Sequence, residues 1–196
     1  KVVRFMPQLT ELVLCKNNCN DFDNMQVEHY KNLISLNLEE NSIDDHCHFG
    51  VLGQLTNLRD LALNHNKINR FQNSDLFQKL ENLNLSYNAI VDGKIITDLR
   101  SCKVLKSLKI NYNPIEQGMN KKDITRRAVA EISSLTRING MDLNRYERKD
   151  CEYYFLRWVF HEYFNLHQLH QLSYKYKDFC VWATENYPAV FTLIDK

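Results

Sequence analysis

No apolar run in this sequence approaches the length needed to cross a bilayer, and its opening residues do not read as a secretory signal. The net charge is only +1 over 196 residues, so the general electrostatic footprint of a nucleic-acid binder is missing. Cysteine is present without any pairing pattern. Its six copies, Cys15, Cys19, Cys47, Cys102, Cys151 and Cys180, are scattered along the chain, which points to a reducing compartment, most simply the cytoplasm. No C-x2-C set, phosphate loop, nucleophile elbow or convincing carboxylate pair is found. The His-Cys-His run at 46–48, the Cys15/Cys19 pair and the His167/His170 pair resemble ligands, but Cys15 is expected to face outward and Cys19 inward, and the histidine pair has no third partner. The expectation is therefore no metal, no cofactor and no catalytic residue, with neither nucleic acid nor membrane as partner.

What the sequence does contain is repetition. LENLNLSYNAI at 80–90 places leucines at its first, fourth and sixth positions, asparagine at the ninth and isoleucine at the eleventh. The same spacing recurs in LTELVLCKN from Leu9, LISLNLEEN from Leu33, LRDLALNHN from Leu58 and LKSLKINYN from Leu105. Asn17, Asn41, Asn66, Asn88 and Asn113 lie 24, 25, 22 and 25 residues apart, the period of leucine-rich repeats. A decayed sixth copy, Leu135 and Ile138 in LTRING, follows. The fourth and sixth residues of each copy alternate along a short strand and point to one face. Ile43, Ile68, Ile90 and Ile115 point inward again after the turn. No copy can bury that face alone, so stacking builds one continuous core. The asparagine amide is expected to satisfy backbone groups that the turn leaves unpaired. The fold class is α/β: a leucine-rich-repeat solenoid over residues 1–145, closed by a C-terminal helical capping segment over 146–196.

Between the frame positions lie the residues expected to face outward on the concave sheet. They form rows running from Glu11, Val13, Cys15 and Lys16, through Ser35, Asn37, Glu39 and Glu40, to Asp60, Ala62, Asn64 and His65. Asn82, Asn84, Ser86 and Tyr87 follow, then Ser107, Lys109, Asn111 and Tyr112. This polar face with two neighbouring tyrosines suits a protein surface. The candidate contacts are Glu39, Glu40, Asn64, His65, Ser86, Tyr87, Asn111 and Tyr112, with Lys106 and Lys109 beside them. Charge is uneven: residues 1–93 carry a net −4, residues 94–145 a net +6 and residues 146–196 a net −1. Lys106, Lys109, Lys121, Lys122, Arg126 and Arg127 in the basic segment are expected to steer an acidic partner.

The chain changes character near residue 145, since 14 of its 22 aromatic residues fall in the last 51 positions. Asn144 and Glu147 form a capping box opening a helix, along which Cys151, Tyr154, Phe155, Trp158 and Val159 make an apolar stripe. A second cluster, Phe179, Val181 and Trp182, precedes Tyr187-Pro188, where a final short helix is expected.

LTRING, YERKDCEYYFLRW and NYPAVFTLIDK together resemble the end of the repeat region of the tubulin-binding cofactor E family, including its E-like members. Residues 113–132 also look like the family's segment after its last regular repeat. The resemblance implies a non-enzymatic, cytoplasmic and cytoskeleton-associated tubulin chaperone. Its partner would be α-tubulin within the αβ heterodimer, alongside other tubulin cofactors. It also implies that this is the central region of a longer protein, with a CAP-Gly domain before the repeats or a ubiquitin-like domain after them. The alternative reading is a cytosolic repeat subunit that targets an enzyme such as a protein phosphatase.

Overall fold

The computed structural model describes residues 6–20, 22 and 24–166. The expected cluster at Phe179–Trp182, the helix at Tyr187-Pro188 and the pair His167/His170 lie outside the described residues.

Five three-residue strands run parallel in sequence order: β1 (Glu11–Val13), β2 (Ser35–Asn37), β3 (Asp60–Ala62), β4 (Asn82–Asn84) and β5 (Ser107–Lys109). The register brings Leu12, Leu36, Leu61, Leu83 and Leu108 into one line, which Ile138 of β6 (Arg137–Ile138) continues. A slip of one residue in any repeat would turn its leucines outward, so the hydrophobic pattern fixes the register. The ladder runs on past the strands: Leu38 N–H donates to Ala62, Leu63 to Asn84 and Leu85 to Lys109. Leu38, Leu63 and Leu85 are thereby buried beside the central leucines.

Beyond the strands four of the five amides behave as their spacing predicts; Asn17, in the first copy, is exposed and its side chain donates only to the Cys15 carbonyl. Asn66 donates to the carbonyls of Leu38 and Leu63, both at 3.0 Å, and accepts from the Ile43 N–H at 3.1 Å. Asn88 donates to Leu63 and Leu85 and accepts from Ile68. Asn113 donates to Leu85 and Ile110 and accepts from both Asn88 and Ile90. Each side chain thus ties its own turn to a neighbouring one. Ile43, Ile68, Ile90 and Ile115 are all buried.

The convex side is irregular or briefly helical. It contains single 3-10 turns at Val27–Tyr30 and Ser74–Leu76, then α1 (Phe49–Gly53), α2 (Lys94–Leu99) and α3 (Ile115–Gly118). Under it Phe22, Phe49, Phe71 and Phe77 form a chain of tilted rings 5.0–6.3 Å apart. These rings fill the wider back of the stack, as the leucines fill the front.

The sixth copy ends the parallel sheet. Asn139 and Gly140 both have positive φ, 52° and 86°, the geometry of the two-residue turn that hairpins favour. The chain reverses there into β7 (Met141–Asp142), antiparallel to β6. Before it, α4 (Lys121–Glu131) starts at Asn120, whose side chain accepts from the Asp123 N–H. After it, α5 (Arg145–Leu166) opens with the expected capping box. Asn144 Oδ1 accepts from the Glu147 N–H at 3.0 Å, and Glu147 Oε2 accepts from the Asn144 N–H at 2.8 Å. Helix α5 packs on α4 and buries Cys151, Phe155 and Val159. The Arg148 guanidinium donates to the carbonyls of Val129 and Leu135.

Candidate protein-interaction surface

Each three-residue strand sends its central leucine into the core, so its first and third residues face the concave side. They line a shallow groove of about 440 Å³ that includes Ser35, Asn37, Asp60, Ala62, Asn82, Asn84, Ser107, Lys109 and Arg137. Hydrogen bonds knit its floor: Asn84 Nδ2 donates to Asn64 Oδ1 at 2.9 Å, and Asn82 donates to the Asp60 carboxylate. The groove is polar and open. Among the described residues no three His, Cys, Asp or Glu side chains gather as a metal site, and no helix is long and apolar enough to cross a membrane.

One border of the groove is a column of side chains where the strands turn. Lys16, Glu40, His65, Tyr87 and Tyr112, one per repeat, all have φ between 51° and 60°. That left-handed conformation costs a residue with a Cβ roughly 1 kcal/mol or more, and repeat stacking imposes it on every copy. The conformation swings these side chains off the core and onto the rim. Lys16 and Glu40 pair at 3.3 Å. His65 stacks on Tyr87 with ring centroids 4.2 Å apart and planes 9° from parallel. Tyr87 stacks on Tyr112 at 4.3 Å and 14°. Lys121 Nζ stands 5.3 Å from the Tyr112 centroid and 3.2 Å from Glu116 Oε2. Glu116 Oε1 in turn accepts the Tyr112 N–H at 2.6 Å, holding the left-handed turn. Desolvation within the stack, reinforced by Tyr112 and its hydrogen bond, raises the Tyr87 hydroxyl above its ordinary pKa.

The opposite border, where the strands begin, is charged. Glu81 receives both Lys106 Nζ, at 2.7 Å, and the Arg59 guanidinium. These cations, Lys106 first, hold its carboxyl below the ordinary value.

A family model described as Leucine rich repeat matches residues 7–68. A chain in the solved Drosophila melanogaster SNF/U2A' complex superposes with a TM-score of 0.62 at 17% identity, over 74% of this chain and 80% of that one. That likeness concerns the fold alone. The fold is a leucine-rich-repeat solenoid. Among curated relatives, the repeat protein is 24% identical over 165 residues to the human Tubulin-specific chaperone cofactor E-like protein, covering 80% of this chain and 38% of the relative. It is 29% identical over 170 residues to the Arabidopsis thaliana Tubulin-folding cofactor E, covering 80% and 32%. The resemblance carried by its sequence motifs is thus matched by relatives bearing those names. The repeat protein spans about a third of the length of each.

The structure brings only some of the expected contact residues together. Glu40, His65, Tyr87 and Tyr112 are exposed along one rim, with Glu39 and Asn111 half-buried beside them. Asn64 and Ser86 are buried, each 8% exposed, and present little surface to a partner. Both stand at the seventh position of their copies, two past the last strand residue, and Asn64 Oδ1 accepts from Asn84 Nδ2. Lys106 occupies the far border, bound to Glu81, while Lys109 is exposed in the groove and forms no ion pair among the described residues.

The expected steering row is corrected more sharply. Arg126 lies 3.8 Å from the Tyr154 ring centroid and pairs with Asp123. Arg127 pairs with the buried Glu131 at 2.6 Å and faces Trp158. Tertiary packing has turned both arginines into anchors for α5. Arg137, which the row-by-row reading stopped short of, lines the groove; it is the third residue of the decayed copy, so counting that copy as a strand finds it.

Proposed function

We propose that this region is a tubulin-binding platform: a non-catalytic, cytoplasmic, cytoskeleton-associated interaction domain that docks α-tubulin of the αβ heterodimer, alongside other tubulin cofactors. The observation that carries the reading is similarity over 80% of this chain to two relatives named as tubulin cofactors. The groove supports it. It is open, polar and bordered by rigid amphipathic rings, the composition that protein interfaces favour over small-molecule sites. In this reading the repeats, residues 1–145, present the face, and residues 146–196 close the stack.

Purified αβ-tubulin, immobilised and titrated with the chain, tests this directly. Tyr87 and Tyr112 are 44% and 56% exposed, so truncation removes contact area without opening the core. A hot-spot ring contributes about 2 kcal/mol, which is roughly thirtyfold in Kd. Tyr87→Ala and Tyr112→Ala are each expected to weaken binding to that extent, and cross-links from Lys109 are expected to land on the α subunit. Absence of tubulin binding by the parent would sink the proposal. Unchanged affinity in the double variant would move the site off this face.

A further inference from the structure

The ring column has a chemical character that an ordinary polar sheet lacks. His65, Tyr87 and Tyr112 cover one another's faces at 4.2 and 4.3 Å, so what they offer outward is ring edges and phenol hydroxyls. Aromatic edges carry the positive part of the ring quadrupole, and hydroxyls donate hydrogen bonds. The surroundings have the same sign at one end. Lys109 is exposed and unpaired among the described residues, and Lys121 stands over Tyr112 with ammonium protons to spare. Glu116, beside Tyr112, is occupied by the Tyr112 N–H and by Lys121 itself. At the other end of the column Glu40 is held by Lys16. The left-handed turn, at φ 56° and 60° for Tyr87 and Tyr112, is common to all five copies and fixes both rings on the rim.

We propose that the edge-on column Tyr87–Tyr112, flanked by Lys109 and Lys121, docks an acidic segment of a protein partner. This deepens the platform reading by naming the chemistry of the contact, and it stands or falls without tubulin. Carboxylates of the segment meet ring edges, hydroxyls and the two ammonium groups. Glu39 and Glu40, towards the other end of the column, disfavour the reversed placement. A single-stranded nucleic acid is the competing occupant for aromatic and basic residues together, but it requires free ring faces for base stacking. Here both faces of Tyr87 are covered, by His65 and Tyr112, and Tyr112 has Lys121 over its ring.

The test is a titration of the full chain with a capped oligoglutamate peptide, followed through the tyrosine and histidine ring resonances by NMR. Oligoglutamine and oligothymidylate serve as the uncharged and nucleic-acid comparisons. The glutamate peptide is expected to shift the Tyr87 and Tyr112 resonances saturably, with affinity falling as salt rises. Lys109→Gln with Lys121→Gln is expected to weaken it about tenfold, the effect of losing two favourable charges at a rim. Tyr87→Asn with Tyr112→Asn, which suits the left-handed turn, is expected to abolish it while the methyl spectrum of the core stays unchanged. The proposal is overturned if the glutamate peptide leaves these rings unmoved or if oligoglutamine binds equally well. Binding of oligothymidylate in its place, or parental affinity in the lysine variant, overturns it too. A chain that binds the peptide but not tubulin keeps this inference and loses the tubulin reading; the converse result does the reverse.

Discussion

Truncating the asparagines one at a time should yield a graded series of stability losses set by how many N–H groups each orphans. Asn66→Ala removes four hydrogen bonds, but they are not equivalent. The carbonyls of Leu38, Leu63 and Asn64 keep other donors: Asn41 Nδ2, Asn88 Nδ2 and the Glu40 N–H. The Ile43 N–H loses its acceptor and is buried. One buried, unsatisfied N–H costs about 1–3 kcal/mol, so Asn66→Ala should cost ~2 kcal/mol. Asn88→Ala orphans the Ile68 N–H and should match it. Asn113 Oδ1 accepts from both Asn88 and Ile90, so Asn113→Ala orphans two and should cost about 4 kcal/mol. Asn17 is exposed and only donates, to the Cys15 carbonyl; Asn17→Ala should cost under ~0.5 kcal/mol. For a chain of this size each kcal/mol moves Tm by about 2–4 °C. The series therefore spans roughly 1 °C at Asn17, about 4–8 °C at Asn66 and Asn88 and about 8–16 °C at Asn113. Thermal melts by circular dichroism measure it. A loss at Asn17 as large as at Asn66, or at Asn113 no larger than at Asn88, would refute orphan counting as the source of the effect.

Two further outcomes follow from buried and paired groups. Burial pushes the Cys102 thiol up to about 12, and its Sγ donates to the Ser74 carbonyl, so native protein at mildly alkaline pH should leave Cys102 unalkylated while half-buried Cys15 and Cys19 react; peptide mass analysis after iodoacetamide checks this, and equal labelling of Cys102 and Cys15 would contradict it. Glu81 is held below its ordinary value by Lys106 and Arg59, so its contribution is present above the unfolded carboxylate pKa and is lost as pH falls through the folded one. Glu81→Gln should flatten the acid limb of a Tm-against-pH curve, and curves that stay parallel to the parent's down to the lowest pH would count against the pairing.

The frame was legible because repetition averages out local ambiguity: the four copies from Leu33 to Asn113 bury the same positions, and the asparagine in each meets the same unpaired turn. The phenylalanine ring chain was not, because Phe22, Phe49, Phe71 and Phe77 come from connections of different length with no shared spacing. The left-handed positions were hidden for a related reason. Lys16, Glu40, His65, Tyr87 and Tyr112 have no chemical property in common, and none is the glycine or asparagine that announces positive φ. At the C-terminal end, Asn144 and Glu147 revealed the start of α5 because a capping box is local. The fate of Arg126 and Arg127 was invisible because it depends on Tyr154 and Trp158, about thirty residues on.

That fate changes how the charge asymmetry works. The net +6 over residues 94–145 already counts Asp123, Glu131 and Asp142, so pairing within the segment rearranges its charge at short range without reducing the total. Lys106 is matched by Glu81, Arg127 by Glu131, Arg126 by Asp123 and Arg137 by Asp142. Paired charges a few ångströms apart present a dipole, whose field decays faster than that of a lone ion and is screened beyond about 8 Å at physiological salt. Among the described residues, Lys109 is exposed in the groove without an ion-pair partner, and Lys121, paired with Glu116, meets the ring column. The segment's net charge is therefore unchanged at long range, while its pairing leaves few cations for short-range contact on the concave side. If the ring column is the docking site proposed above, selectivity resides in contact chemistry at a few rim residues, held in register by the asparagine-bonded frame.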